Sequence, residues 1–146
     1  MQNSKQKLSV YSSAFALSLS VISANAFANV PPPVDALPTG GVITSGRGTI
    51  VTGDKILNVN QITQIMQTQW GSFDIGADAT VNIFQPNADS VFIGNILSSN
   101  ASHIQGALNA NGNVLLVNPN GMVFGGDARI DVGGLILSTA EFVDFD

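Results

Sequence analysis

The chain has 146 residues with five basic groups, ten acidic groups, one histidine and no cysteine. Without cysteine it can form neither a disulfide, nor a thiolate zinc cluster, nor a thiol nucleophile. Its acidic balance repels nucleic acid and anionic lipid, and its length allows one modest domain.

Lys5 and Lys7 precede a mostly apolar run from Leu8 to Ile22, and Ala26-Phe27-Ala28 follows with small residues where a signal peptidase cuts. Residues 1–28 are thus predicted to be a Sec signal peptide, handled by the Sec machinery and cleaved by signal peptidase after Ala28. Ser9, Ser12, Ser13, Ser18 and Ser20 dilute the run, which falls short of the roughly 20 apolar residues of a membrane span. Every later apolar run is only a few residues long. Removal of the leader leaves Arg47, Lys55 and Arg129 against the ten carboxylates, a formal charge of −7.

Residues 29–40 carry Pro31-Pro32-Pro33 and Pro38, which suit a stiff extended lead-in. From Gly41 onward short apolar bursts alternate with glycine and asparagine corners: Val42-Ile43-Thr44, Thr49-Ile50-Val51, Ile56 to Val59, Ser72 to Ile75, Thr80 to Phe84 and Ser90 to Ile93. The best helical candidate is Val59 to Gln69, where Ile62, Ile65 and Met66 can share a face, although Ile, Thr and Asn are middling helix formers. Farther on, Val114 to Val117 and Met122 to Phe124 flank Asn118-Pro119-Asn120-Gly121, which reads as strand, sharp corner, strand. Pro119 fixes φ at the second turn position, and Asn120 or Gly121 supplies φ > 0. The strands Ala128 to Val132 and Leu135 to Leu137 follow, separated by Gly133-Gly134.

Two all-β architectures fit this pattern. A sandwich needs paired antiparallel strands of about five or six residues joined by hairpins. A right-handed parallel β-helix needs very short strands, frequent bends and inward apolar side chains stacked rung upon rung. The apolar centres near Leu116, Val123, Ile130 and Ile136 recur every six or seven residues, too close for sandwich strands plus hairpin loops, and favour the β-helix.

The segments Thr80 to Pro86, Ser102 to Gly125 (with Asn109-Ala110-Asn111-Gly112 and Asn118-Pro119-Asn120-Gly121) and Gly133 to Thr139 together resemble the N-terminal secretion domain of filamentous haemagglutinin-type exoproteins. Trp70 to Gly76 is similar to the family's aromatic strand, and the resemblance covers roughly Gly41 to Phe145. It implies a capped right-handed parallel β-helix over 41–146, incomplete at its C-terminal end, in the two-partner secretion pathway of Gram-negative bacteria. It also implies a cognate outer-membrane β-barrel transporter with POTRA domains as partner, and secretion to the medium or cell surface by way of the periplasm. The parent would be an adhesin whose host-cell or glycan target lies with a downstream region. Gly94-Asn95-Ile96 stands where many relatives carry Asn-Arg-Val, so no arginine contact is carried over.

Asn118, Pro119, Asn120, Gly121, Asn109, Asn111 and Gly112 are the candidates for structural or transporter-recognition roles. Alternate asparagines (Asn58 and Asn60, or Asn109, Asn111 and Asn113) point to one side of an extended segment, or stack as an amide ladder at equivalent corners of successive coils. Asn109-Ala110-Asn111-Gly112 reads as a turn cap. The competing function is a surface module in which Asn118 and Asn120 present exposed amides to a glycan or receptor. A β-helical polysaccharide-degrading enzyme is the remaining alternative, its nearest carboxylate pair being Asp127 and Asp131, with Arg129 between them on one strand face. That trio reads more simply as a solvated, salt-laced face, and the lone His103 as a solvated or turn-capping residue. The expectation is therefore no catalytic residue, metal ligand or cofactor.

Overall fold

A computed structural model describes residues 30–141; the predicted signal peptide lies outside the described residues. Among the latter every regular element is a strand, and no helix is long and apolar enough to cross a membrane. The strands are β1 (Val42–Ser45), β2 (Gly48–Thr52), β3 (Ile56–Gln61), β4 (Ile65–Trp70), β5 (Thr80–Phe84), β6 (Val91–Ile96), β7 (Ser102–Ile104), β8 (Ala107–Ala110), β9 (Asn113–Val117), β10 (Met122–Phe124), β11 (Arg129–Asp131) and β12 (Gly134–Ser138).

Two long parallel ladders run β3-β5-β8-β11 and β4-β6-β9-β12, and β7 pairs with β10 on a third side. Ile75 extends that third side by a single parallel bridge to Ile104. The chain thus winds through about four coils of a parallel β-helix. A hairpin-linked sandwich is ruled out, since hairpins join only antiparallel neighbours. Among the described residues antiparallel pairing is confined to β1 on β4, β2 on β3 and a single Thr39–Ser72 bridge, an N-terminal cap on the edges of the first coil.

Alternation within each strand decides what faces inward. Leu57, Val81, Leu108 and Ile130 occupy one register column, while Met66, Phe92, Val114 and Leu135 occupy another. The first three of each are fully buried, so every coil is the packing surface of the next. The six-or-seven-residue recurrence seen in the sequence is the step from strand to strand within a coil. The step between coils is longer and uneven: Ile56 pairs with Thr80, Thr80 with Ala107 and Ala107 with Arg129, offsets of 24, 27 and 22 residues.

The helical candidate Val59 to Gln69 is instead the end of β3, a bend and β4. Val59, Gln61, Met66 and Thr68 are buried at a spacing of two, whereas Ile62 and Ile65 are exposed, so the apolar residues never share a helical face. The proline-rich lead-in also differs from a stiff extended arm. Ala36 N donates to Pro33 O in a turn, and Asp78 N and Gly76 N donate to Val34 O and Ala36 O, which seats residues 33–38 against the loop after β4 with Pro38 buried.

Candidate functional site

The corner between β9 and β10 is built around Asn118, whose side chain is fully buried. Its Nδ2 donates to Asn100 O at 3.1 Å and to Ser102 Oγ at 3.0 Å, both in the preceding coil. Its Oδ1 accepts from Asn120 N at 2.9 Å, and its own backbone N donates to Ser138 O at 2.9 Å in the following coil. Every polar atom is satisfied, as burial of an amide demands. One residue therefore ties three successive coils. The turn closes through Gly121 N donating to Asn118 O at 2.9 Å.

Gly121 takes φ of 93°, while Asn120 keeps a negative φ. Nothing lies within 4 Å of where a Gly121 Cβ would stand. The glycine is needed for backbone conformation, and the site leaves room for a side chain. Pro119 and Asn120 are exposed on the outer rim, and the Asn120 amide donates to Ser98 O at 2.8 Å.

Asn111 and Gly112 lie at another corner, between β8 and β9. Asn111 brackets one backbone unit of the coil before: Nδ2 donates to Gln85 O at 2.8 Å, and Oδ1 accepts from Gln85 N at 2.7 Å. Gly112 N donates to Gln85 Oε1 at 2.8 Å. A Cβ there would meet Ser90 O and Gln85 Oε1 at 2.8 Å and Asn87 O at 3.0 Å, so the coils approach too closely for a side chain. Asn109 is no turn cap. It lies in β8, and its Nδ2 donates to Asn82 Oδ1, whose amide donates in turn to Asn58 Oδ1. An asparagine ladder thus exists, on a strand face rather than at corners, because the three residues share one register column.

The sequence concealed the buried glutamines. Gln61 and Gln85 fill the interior of the β8–β9 type of corner in the first and second coils. Gln61 Nε2 donates to the carbonyls of Thr63, Gln64 and Val91, and Gln85 Nε2 donates to Asn113 O. Their one available signal was position: Gln61 continues the buried alternation of Leu57 and Val59.

His103 is neither solvated nor capping a turn. It lies in β7, its backbone N donating to Asp74 Oδ1 at 2.8 Å, with Nδ1 3.7 Å from the same oxygen and the side chain 16% exposed. Asp127 falls in the bend before β11, away from the strand face that carries Arg129 and Asp131. Among the described residues Arg129 joins no ion pair and no group of three metal-ligating side chains occurs.

A family model, "TPS secretion domain", matches residues 34–145. The chain belongs to the TPS secretion domain family. It is similar to the heme/hemopexin-binding protein of Haemophilus influenzae strain Rd, with 40% identity over 105 residues, covering 72% of this chain and 12% of that protein. A second H. influenzae heme/hemopexin-binding protein is 37% identical over 124 residues, covering 84% of this chain and 13% of its own length. Among solved structures, the HMW1 secretion domain of H. influenzae superposes with a TM-score of 0.69 at 27% identity, over 73% of this chain and 28% of that one. The chain spans about an eighth of the curated relatives it matches. It is the N-terminal secretion domain of a two-partner secretion exoprotein, a class that Gram-negative bacteria secrete with a cognate outer-membrane transporter.

Proposed function

We propose that this domain directs a longer exoprotein through a β-barrel transporter with POTRA domains, after Sec-dependent entry into the periplasm and loss of residues 1–28. The Asn118 to Gly121 corner is the part of the domain on which that recognition depends. The observation that carries this reading is the division of labour within four residues. Asn118 is buried and holds three coils together, while Pro119 and Asn120 are held outward on the rim it creates. The buried half sets the shape and the exposed half offers it.

The surface-module alternative fits this corner less well. Asn118 has no exposed atom to offer a glycan or receptor, and the Asn120 amide is engaged with Ser98. Adhesion to a host target, or the heme and hemopexin binding for which two relatives are named, belongs in this reading to regions of the parent beyond residues 34–145. The enzyme alternative gains no support from its carboxylate pair, since Asp127 lies in the bend before β11 and Asp131 on that strand.

Secretion assays in strains with and without the cognate transporter test the proposal. Release to the medium is expected only when the transporter is present, and equal release in both strains would sink it. Purified Asn120→Ala that folds normally yet stays in the periplasm would locate recognition on the rim. Secretion of Pro119→Ala and Asn120→Ala at the wild-type level would remove the rim from the proposal.

A further inference from the structure

The outer face of β5, β8 and β11 holds a shallow groove of about 360 Å³ lined by Asn82, Phe84, Asn109, Asn111 and Asp131, well away from the Asn118 corner. Its hydrogen bonds within the protein leave two acceptors open to solvent. The asparagine ladder runs in one sense, each amide N–H donating to the coil before: Asn82 to Asn58 at 3.0 Å and Asn109 to Asn82 at 2.9 Å. The direction of the ladder therefore leaves Asn109 Oδ1 on the side of the fourth coil. Its register partner there is Asp131. A carboxylate is an acceptor, so at this end of the ladder an amide and a carboxylate stand in register on adjacent rungs, open to solvent. Among the described residues no hydrogen bond reaches Asn109 Oδ1 or the Asp131 carboxylate. Each ladder amide also keeps one N–H that the ladder does not use.

Phe84 stands beside this polar row with 53% of its surface exposed, on the same outward face of β5 as Asn82. An exposed ring next to amides and a carboxylate offers an apolar face flanked by donors and acceptors at fixed positions. Coils stack about 4.8 Å apart, close to the width of a sugar ring, so neighbouring rungs meet neighbouring hydroxyls or rings. A hydroxyl is both donor and acceptor and can bridge Asn109 Oδ1 to Asp131 while a sugar's C–H face packs on Phe84. The net charge of the mature chain and the Asp131 carboxylate on the β11 side of the groove disfavour acidic sugars.

We propose that this groove is a carbohydrate site for a neutral oligosaccharide, with Phe84 as the stacking platform and Asp131 and Asn109 as the hydroxyl acceptors. The test is a titration of the full mature chain, followed by NMR or calorimetry, with neutral hexose and N-acetylhexosamine tetrasaccharides, sialylated counterparts, and calcium chloride alone. Neutral tetrasaccharides are expected to bind, with Phe84→Ala and Asp131→Ala each weakening affinity at least tenfold and Phe84→Tyr retaining it. Both positions are exposed, and far-UV circular dichroism verifies that the variants fold. No neutral sugar bound at millimolar concentration would overturn the proposal, as would binding indifferent to both alanine variants. Preference for the sialylated sugars, or saturation by calcium alone with loss in Asp131→Ala, would assign the groove to a different ligand and also overturn it. Transporter-dependent secretion of Phe84→Ala at the wild-type level would separate this site from the secretion function.

Discussion

The two buried-amide corners solve the same problem in opposite ways. Between the first and second faces the solution is repeated along the helix: Gln61 serves one coil, Gln85 the next, and Gly112 N takes the free Gln85 oxygen in the third. Between the second and third faces the solution occurs once. The inward column that holds Trp70 and then Ile96 receives Asn118 at the third coil, a polar amide in a line of apolar side chains. A repeated corner distributes its hydrogen bonds among several side chains. A single corner concentrates links to the coils on either side in one residue. The repeated corner is therefore sensitive to shape, and the single one to chemistry.

The largest effect should come from shape. Gly112→Ala forces a Cβ against the Ser90 and Asn87 carbonyls, which belong to backbone and cannot swing aside. A loss of about 3 kcal/mol or more is expected, measured as a fall in the urea midpoint with unchanged slope. A midpoint within error of wild type would show that the Ser90 and Asn87 backbone yields and that this corner is not sensitive to shape. Next comes Asn118→Ala, which strands the buried Ser102 Oγ and removes the partner of the part-buried Asn100 O and Asn120 N. About 2 to 3 kcal/mol is expected. In a double-mutant cycle with Ser102→Ala, coupling of about 1 kcal/mol would support a shared network, whereas strict additivity would mean that the two side chains act independently.

Smaller still is Gly121→Ala, because the cost is confined to a backbone held at φ of 93° in open space. About 1 to 2 kcal/mol is expected from thermal unfolding, with Gly121→Val worse because of its branched Cβ rather than any clash. At the bottom of the scale stands the exposed Lys55–Asp78 pair at 3.5 Å. Lys55→Ala should change stability by well under about 1 kcal/mol at moderate salt. A larger loss would mean that this exposed ion pair contributes to stability on the scale of the buried corners.

Much of the architecture was legible because short strands have to declare themselves locally. Val114 to Val117, the Asn118 to Gly121 bend and Met122 to Phe124 appear where the apolar bursts and the proline placed them. The period between coils was not legible. Its offsets of 24, 27 and 22 residues vary with the loops, and the residues that stack are alike only in being apolar, as Leu57, Val81, Leu108 and Ile130 are. The direction of β1 and β2 was equally hidden, since alternation marks a strand without saying which neighbour it joins. At the corners, glycine and asparagine spacing identified where bends occur, whereas Gln61 and Gln85 escaped notice because glutamine is an exposed residue almost everywhere else. Asn118 was legible as a bend residue, but its burial depends on Asn100 and Ser102, partners 18 and 16 positions earlier.

The packing around Trp70 makes the first coil optically distinguishable. Trp70 is the chain's one tryptophan, 1% exposed, with its indole N–H donated to Thr68 Oγ1 at 2.8 Å and its ring edge-to-face with Phe73 at 5.4 Å between centroids. The backbone at Gly41, just before β1, lies against the six-membered ring. The fluorophore therefore sits where the cap meets the coils, shielded from water on one side by a segment that precedes the parallel ladders. Its emission will be blue-shifted while the cap is seated and will move to the red when the cap lifts, even if the later coils stay wound. Intrinsic fluorescence and circular dichroism should accordingly part company in this protein, the first timing the opening of the N-terminal end and the second the unwinding of the whole.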